Sequence, residues 1–416
     1  MKRIKRNSSN AITNEPTVDW SRRHFLVRSA AGLAGATMAS AGFAWGDLAY
    51  GQQLSGQPVN FNVAIRPDWT QGWFGMINQE KGFWKKYLPV GSEVTFSHPI
   101  QGGIVTNELI AEKSMIGHNG DAPGLIATFQ RERADIRIIG LTGSSPSGYS
   151  SYQVLVRKDA PEFASSKEAI KWLDGKRVAT PKGSSSDRFF QSILQREGVT
   201  PQEYLNLSIG VITTNLRTGS IDGACTWDPQ GSAVSTIAGD GSARVVATGE
   251  PWKQRDFGTI VCRKDFMDKN PDIVKAWLKS EIEAQMWYYD PRNHAEVLQI
   301  AQKYVTGFSH KALWFALAGL LPEPYYGGPI RDEKPFVWND TIAALQVGVV
   351  DFLAANKVVP SNKLPDGAID DSLGRAAMKE MHVSSPLITL KAVPLDVGYP
   401  LVQEPASIDK YAALFA

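Results

Sequence analysis

Short apolar runs alternate with stretches of helical periodicity, and this alternation constrains the fold more than any other feature. Asn60–Ile65, Glu93–Ser97 and Ile136–Leu141 have the length and composition of buried strands, and helix-spaced apolar residues follow the first two. Such alternation predicts parallel βαβ units, in which ligands bind at the carboxyl ends of the strands. We therefore expect an α/β protein.

A small polar stretch, Thr142–Ser151, separates a second series of elements from the first. By the same patterns this series contains strands at Tyr152–Arg157, Arg177–Thr180 and Arg244–Ala247 and helices at Thr200–Leu205 and around Thr213–Thr218. Gly249–Phe257 then leads back to the first series. The prediction is two lobes, 57–145 with 255–416 and 148–250, joined by two crossings that permit hinge closure. The proline-rich end, 384–416, is expected to strap the first lobe.

The stretch Lys182–Arg188 is a candidate anion site. Ser184, Ser185 and Ser186 follow a strand and precede helix-spaced apolar residues, so they fall on the first turn of a helix. Such a turn has unpaired N–H groups and a partial positive charge. The alternative is that one serine is an N-cap and the others are solvated.

Two loops of the first lobe hold further candidates. Trp69 lies in the loop after the first strand, where a tryptophan suits the wall of a ligand pocket, whereas Trp73 and Phe74 are alternatively the core face of the next helix. The loop His118–Pro123 contains Asn119, Gly120 and Asp121. Glycines here and at Gly102-Gly103 can expose backbone N–H groups to a ligand.

The N-terminus has the pattern of an export signal. Arg22 and Arg23 precede the weakly apolar run Val27–Phe43, and residues 1–44 match a twin-arginine signal peptide that would direct the protein to the periplasm. A chance Arg-Arg pair or a retained anchor is the alternative. Seven of the 44 Lys and Arg but only two of the 42 Asp and Glu lie in this segment, so the remainder has a net charge of −3. Such a charge does not favour nucleic acid or an anionic membrane as a partner.

The histidines and cysteines do not indicate a cofactor. Six histidines form no i, i+4 pair, and Cys225 and Cys262 form no C-x-x-C motif, so we expect neither a metal nor another cofactor. Spacing leaves open whether the two cysteines pair in an oxidising compartment. Two buried free thiols are favoured.

Several of these motifs resemble a known family. Lys182–Ser185, Thr218–Ala224 with Trp227–Pro229, and Asn119–Pro123 look like the nitrate/sulfonate/taurine group of periplasmic solute-binding proteins of ABC importers, with similarity over about residues 58–380. The resemblance implies a two-lobed α/β fold of the type II periplasmic binding class, with hinged lobes around a central ligand cleft. It also implies an anionic head group held at helix N-termini and a tail held by aromatics.

Carried onto this chain, the resemblance gives a set of ligand-binding candidates: Trp69, Asn119, Gly120, Asp121, Ser184, Ser185, Ser186, Arg188, Trp227 and Asp228. Arg188 can pair with a carboxylate or sulfonate, or form a salt bridge on its own helix surface. Asp228 is favoured to orient its loop, because a carboxylate would repel an anion. The loop Arg66–Trp69 is bulkier than is usual in the family, which favours a larger or aromatic ligand over taurine.

The resulting hypothesis is a monomeric periplasmic protein, not an enzyme, that captures a small organic or inorganic anion and delivers it to an ABC permease. A sensor subunit for a membrane receptor is an alternative, because it would use the same closing motion. A second alternative is an enzyme similar to thiamine-pyrimidine synthases, but their cysteine-rich motif and consumed histidine are not recognisable. A serine hydrolase would need a G-x-S-x-G elbow, which the sequence lacks.

Overall fold

The structure is a computed structural model that describes residues 53–416. The predicted signal peptide, 1–44, lies outside the described residues. The strands are β1 Asn60–Ala64, β2 Glu93–Ser97, β3 Ile116–Gly120, β4 Ile136–Gly143, β5 Gln153–Arg157, β6 Arg177–Thr180, β7 Glu203–Asn206, β8 Gly223–Thr226, β9 Ala243–Ala247, β10 Gly258–Arg263, β11 Ile330–Glu333 and β12 Thr389–Lys391.

The α-helices follow in chain order: α1 Trp73–Lys81, α2 Gly102–Ile110, α3 Asp121–Thr128, α4 Ser166–Trp172, α5 Ser185–Glu197, α6 Ile209–Thr218, α7 Gln230–Val234, α8 Lys264–Lys269, α9 Pro271–Tyr289, α10 His294–Tyr304, α11 His310–Ala318, α12 Asp340–Ala355, α13 Ser372–Glu380, α14 Leu395–Val402 and α15 Ile408–Ala413. Within residues 53–416, no helix is long and apolar enough to cross a membrane.

Two five-stranded sheets organise the chain, as the predicted α/β fold requires. The first has the strand order β2-β1-β3-β10-β4 and the second β7-β6-β8-β5-β9. The chain passes from the first sheet to the second after β4 and returns to it before β10.

The sheets are mixed, which corrects the expectation of purely parallel units. β1 pairs in parallel with β2 and β3, but β10 is antiparallel to both β3 and β4. In the second sheet β5 is likewise antiparallel to β8 and β9. In each sheet, the antiparallel strand is the first one that the chain forms after crossing from the other sheet.

Helix α5 shows how the sequence specifies an element of the second sheet's layer. Ser184 caps its N-terminus by accepting a hydrogen bond from the Asp187 N–H at 3.1 Å. Gly198 ends it in the left-handed region, at a φ of 70° that glycine adopts without strain. Its apolar face is buried in the core of this layer, with β5, β6 and β8; the buried apolar residues of the helix are Phe189, Phe190, Ile193 and Leu194.

Two predicted elements are wrong. The helix expected at Thr200–Leu205 is instead the edge strand β7, because Tyr204 and Leu205 continue the parallel ladder beside β6. The loop expected at His118–Pro123 is instead the end of β3 and the first turn of α3, and it is buried throughout. The expectation of free thiols is confirmed, since Cys225 on β8 and Cys262 on β10 are buried and unpaired.

The C-terminal segment packs onto α10 and α11. β12 pairs with β11, and α14 and α15 follow it. Tyr411 on α15 is fully buried, and its hydroxyl lies 2.7 Å from His294 Nδ1 while accepting a hydrogen bond from Trp314 Nε1 at 2.9 Å. The segment therefore contains regular elements, although its sequence shows no clear period.

Candidate functional site

A cavity of about 300 Å³ lies between the two sheets. Its lining comes from the loop after β1, from α2 and α3 of the first sheet's layer, and from the start of α5 in the second. The residues that line it are Arg66, Trp69, Gln101, Gly102, Gly103, Thr106, Asn107, Ile110, Gly120, Pro123, Ile126, Gln130, Arg133, Ser151, Pro181, Lys182, Gly183, Ser184, Ser185 and Trp227. None of these residues carries a carboxylate, and Arg66, Arg133 and Lys182 carry positive charge.

Three helix N-termini meet at this cavity. Gly102 and Gly103 begin α2, Gly120 is the N-cap of α3, and Ser184 is the N-cap of α5. Their approach depends on missing side chains, because a β-carbon on Gly102 would lie 2.6 Å from Pro123. The first turn of each helix presents N–H groups that have no partner within the helix, so the three termini together favour a negatively charged group.

The three serines at the start of α5 have different roles. Ser184 caps the helix, and its Oγ lies 2.9 Å from Ser186 Oγ, so these two hydroxyls satisfy each other. Ser185 is buried, lines the cavity, and its Oγ has no hydrogen-bond partner among residues 53–416. Since a buried hydroxyl without a partner is costly, Ser185 Oγ is the group best placed to bind a ligand.

An arginine sandwiched by two tryptophans closes one wall. The Arg66 guanidinium lies 5.6 Å from the Trp69 ring and 5.3 Å from the Trp227 ring. Arg66 also pairs with Asp68 at 2.7 Å, so its charge is already largely balanced. Trp227 Nε1 donates a hydrogen bond to the Asp68 carbonyl at 2.9 Å, which ties the second sheet's layer to the first.

Asp121 and Arg188 bind each other. Arg188 Nη2 donates to Asp121 Oδ2 at 2.9 Å, and the Tyr152 hydroxyl donates to the same oxygen at 2.9 Å. All three side chains are buried, and none is among the cavity-lining residues. Of the two alternatives left open for Arg188, the structure shows a salt bridge, but it is buried and joins α5 to α3 instead of lying on the surface of α5. Burial raises the pKa of the Tyr152 hydroxyl.

Asp228 and Asn119 also lie behind the lining. Asp228 lies just before α7, where it accepts hydrogen bonds from the Ser232 N–H at 3.1 Å and from Gln153 Nε2 at 2.6 Å and pairs with Arg331. Burial raises the pKa of Asp228, an effect that Arg331 opposes. Asn119 is buried at the end of β3, and its Nδ2 lies 3.4 Å from Thr106 Oγ1. Of the ten candidates from the sequence, the structure places five on the lining: Trp69, Gly120, Ser184, Ser185 and Trp227.

Sequence reasoning identified Gly102 and Gly103 but missed that they begin a long lining face of α2, and it missed the matching face of α3. Gly103, Thr106, Asn107 and Ile110 are spaced at three and four residues, so they share one face of α2. A similar face from Pro123 to Arg133 lies on and just beyond α3. These spacings are visible in the sequence. The sequence does not show that the two faces meet at one cavity.

Comparison with known proteins places this fold and site in context. Residues 133–302 match the NMT1-like family. The chain is 28% identical over 225 residues to the taurine-binding periplasmic protein of Escherichia coli (strain K12), covering 51% of this chain and 65% of that protein. It is 31% identical over 128 residues to the nitrate/nitrite binding protein NrtA of Synechococcus elongatus, covering 30% of this chain and 28% of that protein. The chain thus matches less than two thirds of the length of either relative.

Solved structures share the fold. The alkanesulfonate-binding protein SsuA from Xanthomonas axonopodis pv. citri, bound to MOPS, has a TM-score of 0.59 at 19% identity over 76% of this chain and 99% of that one. NrtA from Synechocystis PCC 6803 has a TM-score of 0.61 at 16% identity over 87% and 100%. The desulfurization enzyme DSZB has a TM-score of 0.54 at 13% identity, over 77% of this chain and 99% of that one. The architecture is that of two-lobed periplasmic binding proteins, as the sequence resemblance implied.

Proposed function

We propose that this protein captures a small organic anion between its lobes. It delivers the anion to an ABC permease. The premise is that residues 133–302 match the NMT1-like family and that the homologues are taurine-, nitrate- and sulfonate-binding proteins. One observation carries the proposal: three helix N-termini and the unpartnered Ser185 hydroxyl line a single cavity that contains no carboxylate.

Each part of the cavity has a role in capture. The N–H groups at the starts of α2, α3 and α5 receive the anionic head, and Ser185 Oγ donates a further hydrogen bond. Trp69 and Trp227 contact the apolar part of the ligand. A micromolar dissociation constant corresponds to about 8 kcal/mol, which a few charge-assisted hydrogen bonds and one buried aromatic contact supply after the cost of ordering.

Closure joins the two lobes through contacts that do not involve the ligand. The Asp121–Arg188 pair connects α3 to α5. The hydrogen bond from Trp227 to the Asp68 carbonyl connects the second sheet's layer to the loop after β1. Ligand bridging α3 and α5 adds to these contacts and shifts the population toward the closed form. The closed form is the one that the permease recognises in this proposal.

Export through the twin-arginine pathway, a monomeric state and the lobe boundaries 57–145 with 255–416 and 148–250 belong to the same proposal. The periplasmic taurine- and nitrate-binding proteins to which the chain is similar support the destination. A sensor role would use the same cavity and closure and would differ only in the membrane partner.

An enzymatic function is a second candidate, because a desulfurization enzyme shares the fold. Binding is favoured by the position of the thiols. Cys225 and Cys262 lie within strands, neither lines the cavity, and burial raises the pKa of both thiols, which disfavours the nucleophilic thiolate.

Thermal unfolding of the chain from residue 45 onward tests the proposal. The panel comprises nitrate, taurine, alkane- and arylsulfonates, aromatic carboxylates and pyrimidines. A ligand at a hundredfold its dissociation constant adds about 2.7 kcal/mol, which raises the midpoint by several degrees. We expect an organic anion to give this shift and Ser185→Ala to reduce it.

The matched control is Ser208→Ala, because Ser208 is the N-cap of α6, makes no side-chain capping bond and lies outside the cavity lining. This variant should shift as the wild type does. A shift with pyrimidines alone, or an equal shift with Ser185→Ala, would contradict the proposed anion site.

A further inference from the structure

The cavity extends well beyond the three helix N-termini. From that end it follows the groove between α2 and α3, along two faces that oppose each other. The α2 face consists of Gly103, Thr106, Asn107 and Ile110, and the facing residues from α3 onward are Pro123, Ile126, Gln130 and Arg133. The seven residue steps from Gly103 to Ile110 correspond to about 10 Å, so the groove is longer than a nitrate or a sulfonate group.

The middle of the groove is apolar. Ile110 and Ile126 are half-buried and pack against the core of the first sheet's layer. Both also line the cavity, so a bound hydrocarbon chain would contact them. Polar atoms next to these two side chains come from Thr106 and Asn107 on α2 and from Gln130 on the facing side.

The far end of the groove is positively charged. Arg133 is exposed, and its side chain makes no ion pair or hydrogen bond with another residue in the range 53–416. The nearby arginines differ from it, because Arg131 and Arg137 both pair with Asp135 and both donate to the Asp366 carbonyl. The guanidinium of Arg133 is therefore available to a ligand.

We infer that the site binds elongated dianions. One anionic group sits at the N-termini of α2, α3 and α5, the apolar chain lies against Ile110 and Ile126, and the second anionic group pairs with Arg133. This inference rests on the proposed function, because it assigns the second end of the same ligand. Discrimination comes from the length of the groove, which a short dianion cannot span.

Calorimetric titration with matched ligands tests the inference. The probes are ethane-, butane-, hexane- and octanedisulfonates with a sulfonate on each terminal carbon, and the corresponding monosulfonates. We expect the longer disulfonates to bind at least threefold tighter than their monosulfonate partners. The preference should shrink as salt is raised, because Arg133 is exposed to solvent.

Arg133→Gln should abolish this preference, so that each disulfonate binds no tighter than the monosulfonate of the same chain length. Arg131→Gln is the matched control. It removes the same charge only two residues before Arg133, but the Arg131 side chain pairs with Asp135. It should retain the preference. Thermal unfolding of both variants checks that each is folded.

The outcomes separate this inference from the proposed function. If the wild type binds monosulfonates but shows no preference for any disulfonate, or if Arg133→Gln keeps the preference, the dianion inference is wrong and the anion site stands. If the wild type binds neither series, the proposed sulfonate-like head-group site fails, and the dianion inference with it.

Discussion

Gly120 and Ser185 face each other across the two layers of the protein. A β-carbon on Gly120 would lie 2.6 Å from Ser185 Oγ, inside the contact distance of the two atoms. An alanine at residue 120 would therefore displace the Ser185 hydroxyl from its place between the N-termini of α3 and α5. This makes Gly120 a test of whether the closed arrangement is the one that binds ligand.

Gly120→Ala should weaken ligand binding at least tenfold. The backbone at Gly120 is extended and suits alanine, so the effect comes from the contact with Ser185 and not from strain in the chain. Calorimetry measures the ligand affinity, and thermal unfolding measures the stability of the variant. The control is Gly210→Ala on α6, where a β-carbon meets nothing within 4 Å. Equal affinity in both variants would show that α3 and α5 need not approach this closely.

Asp121→Asn should lower the free energy of unfolding by about 3 kcal/mol, because it leaves the Arg188 guanidinium buried without its carboxylate. Urea unfolding at neutral pH measures the loss. Adding Arg188→Met removes the unpaired charge, so the double variant should be more stable than the sum of the two single changes predicts, by at least about 1 kcal/mol. Strict additivity would mean that the pair contributes nothing to stability.

Trp227→Phe should cost about 1 to 3 kcal/mol of stability, since it leaves the Asp68 carbonyl without the indole N–H while keeping an aromatic ring beside Arg66. Trp227→Ala should cost more, because the tryptophan is buried. The phenylalanine variant is therefore the better one for measuring ligand affinity by calorimetry. A destabilisation below about 0.5 kcal/mol in both would show that this wall does not join the lobes.

Asp256→Asn should flatten the dependence of stability on pH between about 4 and 8. Burial, with the nearby charge of Asp332, raises the pKa of Asp256 to about 7, whereas in the unfolded chain it is near 3.8. The native state therefore holds a proton that the unfolded state releases over this interval. The contribution of Asp256 is fully present below about pH 4 and is lost as the pH rises through 7.

Urea unfolding at a series of pH values measures this effect. The wild type should lose up to about 4 kcal/mol relative to Asp256→Asn between pH 4 and pH 8. Asparagine reproduces the neutral side chain, and its oxygen can still accept from the Ser145 N–H, which bonds to Asp256 Oδ1 at 2.6 Å. A constant difference across the range would contradict the raised pKa.

The sequence specified local structure better than long-range contacts. The limits of β2 and β6 coincide with the predicted strands, because a compact apolar run leaves few alternatives. The segment around Tyr204 was misassigned as a helix because the ladder with β6, and not its own short pattern, decides its conformation. The position of β10 between β3 and β4 also could not be predicted, because no local sequence pattern indicates which strands will be neighbours.

The site shows the same division. Ser185 and Gly120 were identifiable because helix starts have recognisable residues and a known preference for anions. The pairing of Asp121 with Arg188 could not be identified, because nothing in the sequence says which of many charged residues will face each other after folding. The role of Arg133 likewise depends on the groove that α2 and α3 form together.

Strand β10 lies between β3 and β4, although all five strands of the second sheet come between β4 and β10 in the chain. The first sheet can therefore close only after the second has been synthesised. Until then β3 and β4 each present an unpaired edge, the kind of surface that joins to other chains. Folding is slow in such arrangements because contacts between distant residues must form first. A fragment that ends before Gly258 should therefore aggregate. The two sheets should not be separated into fragments for study.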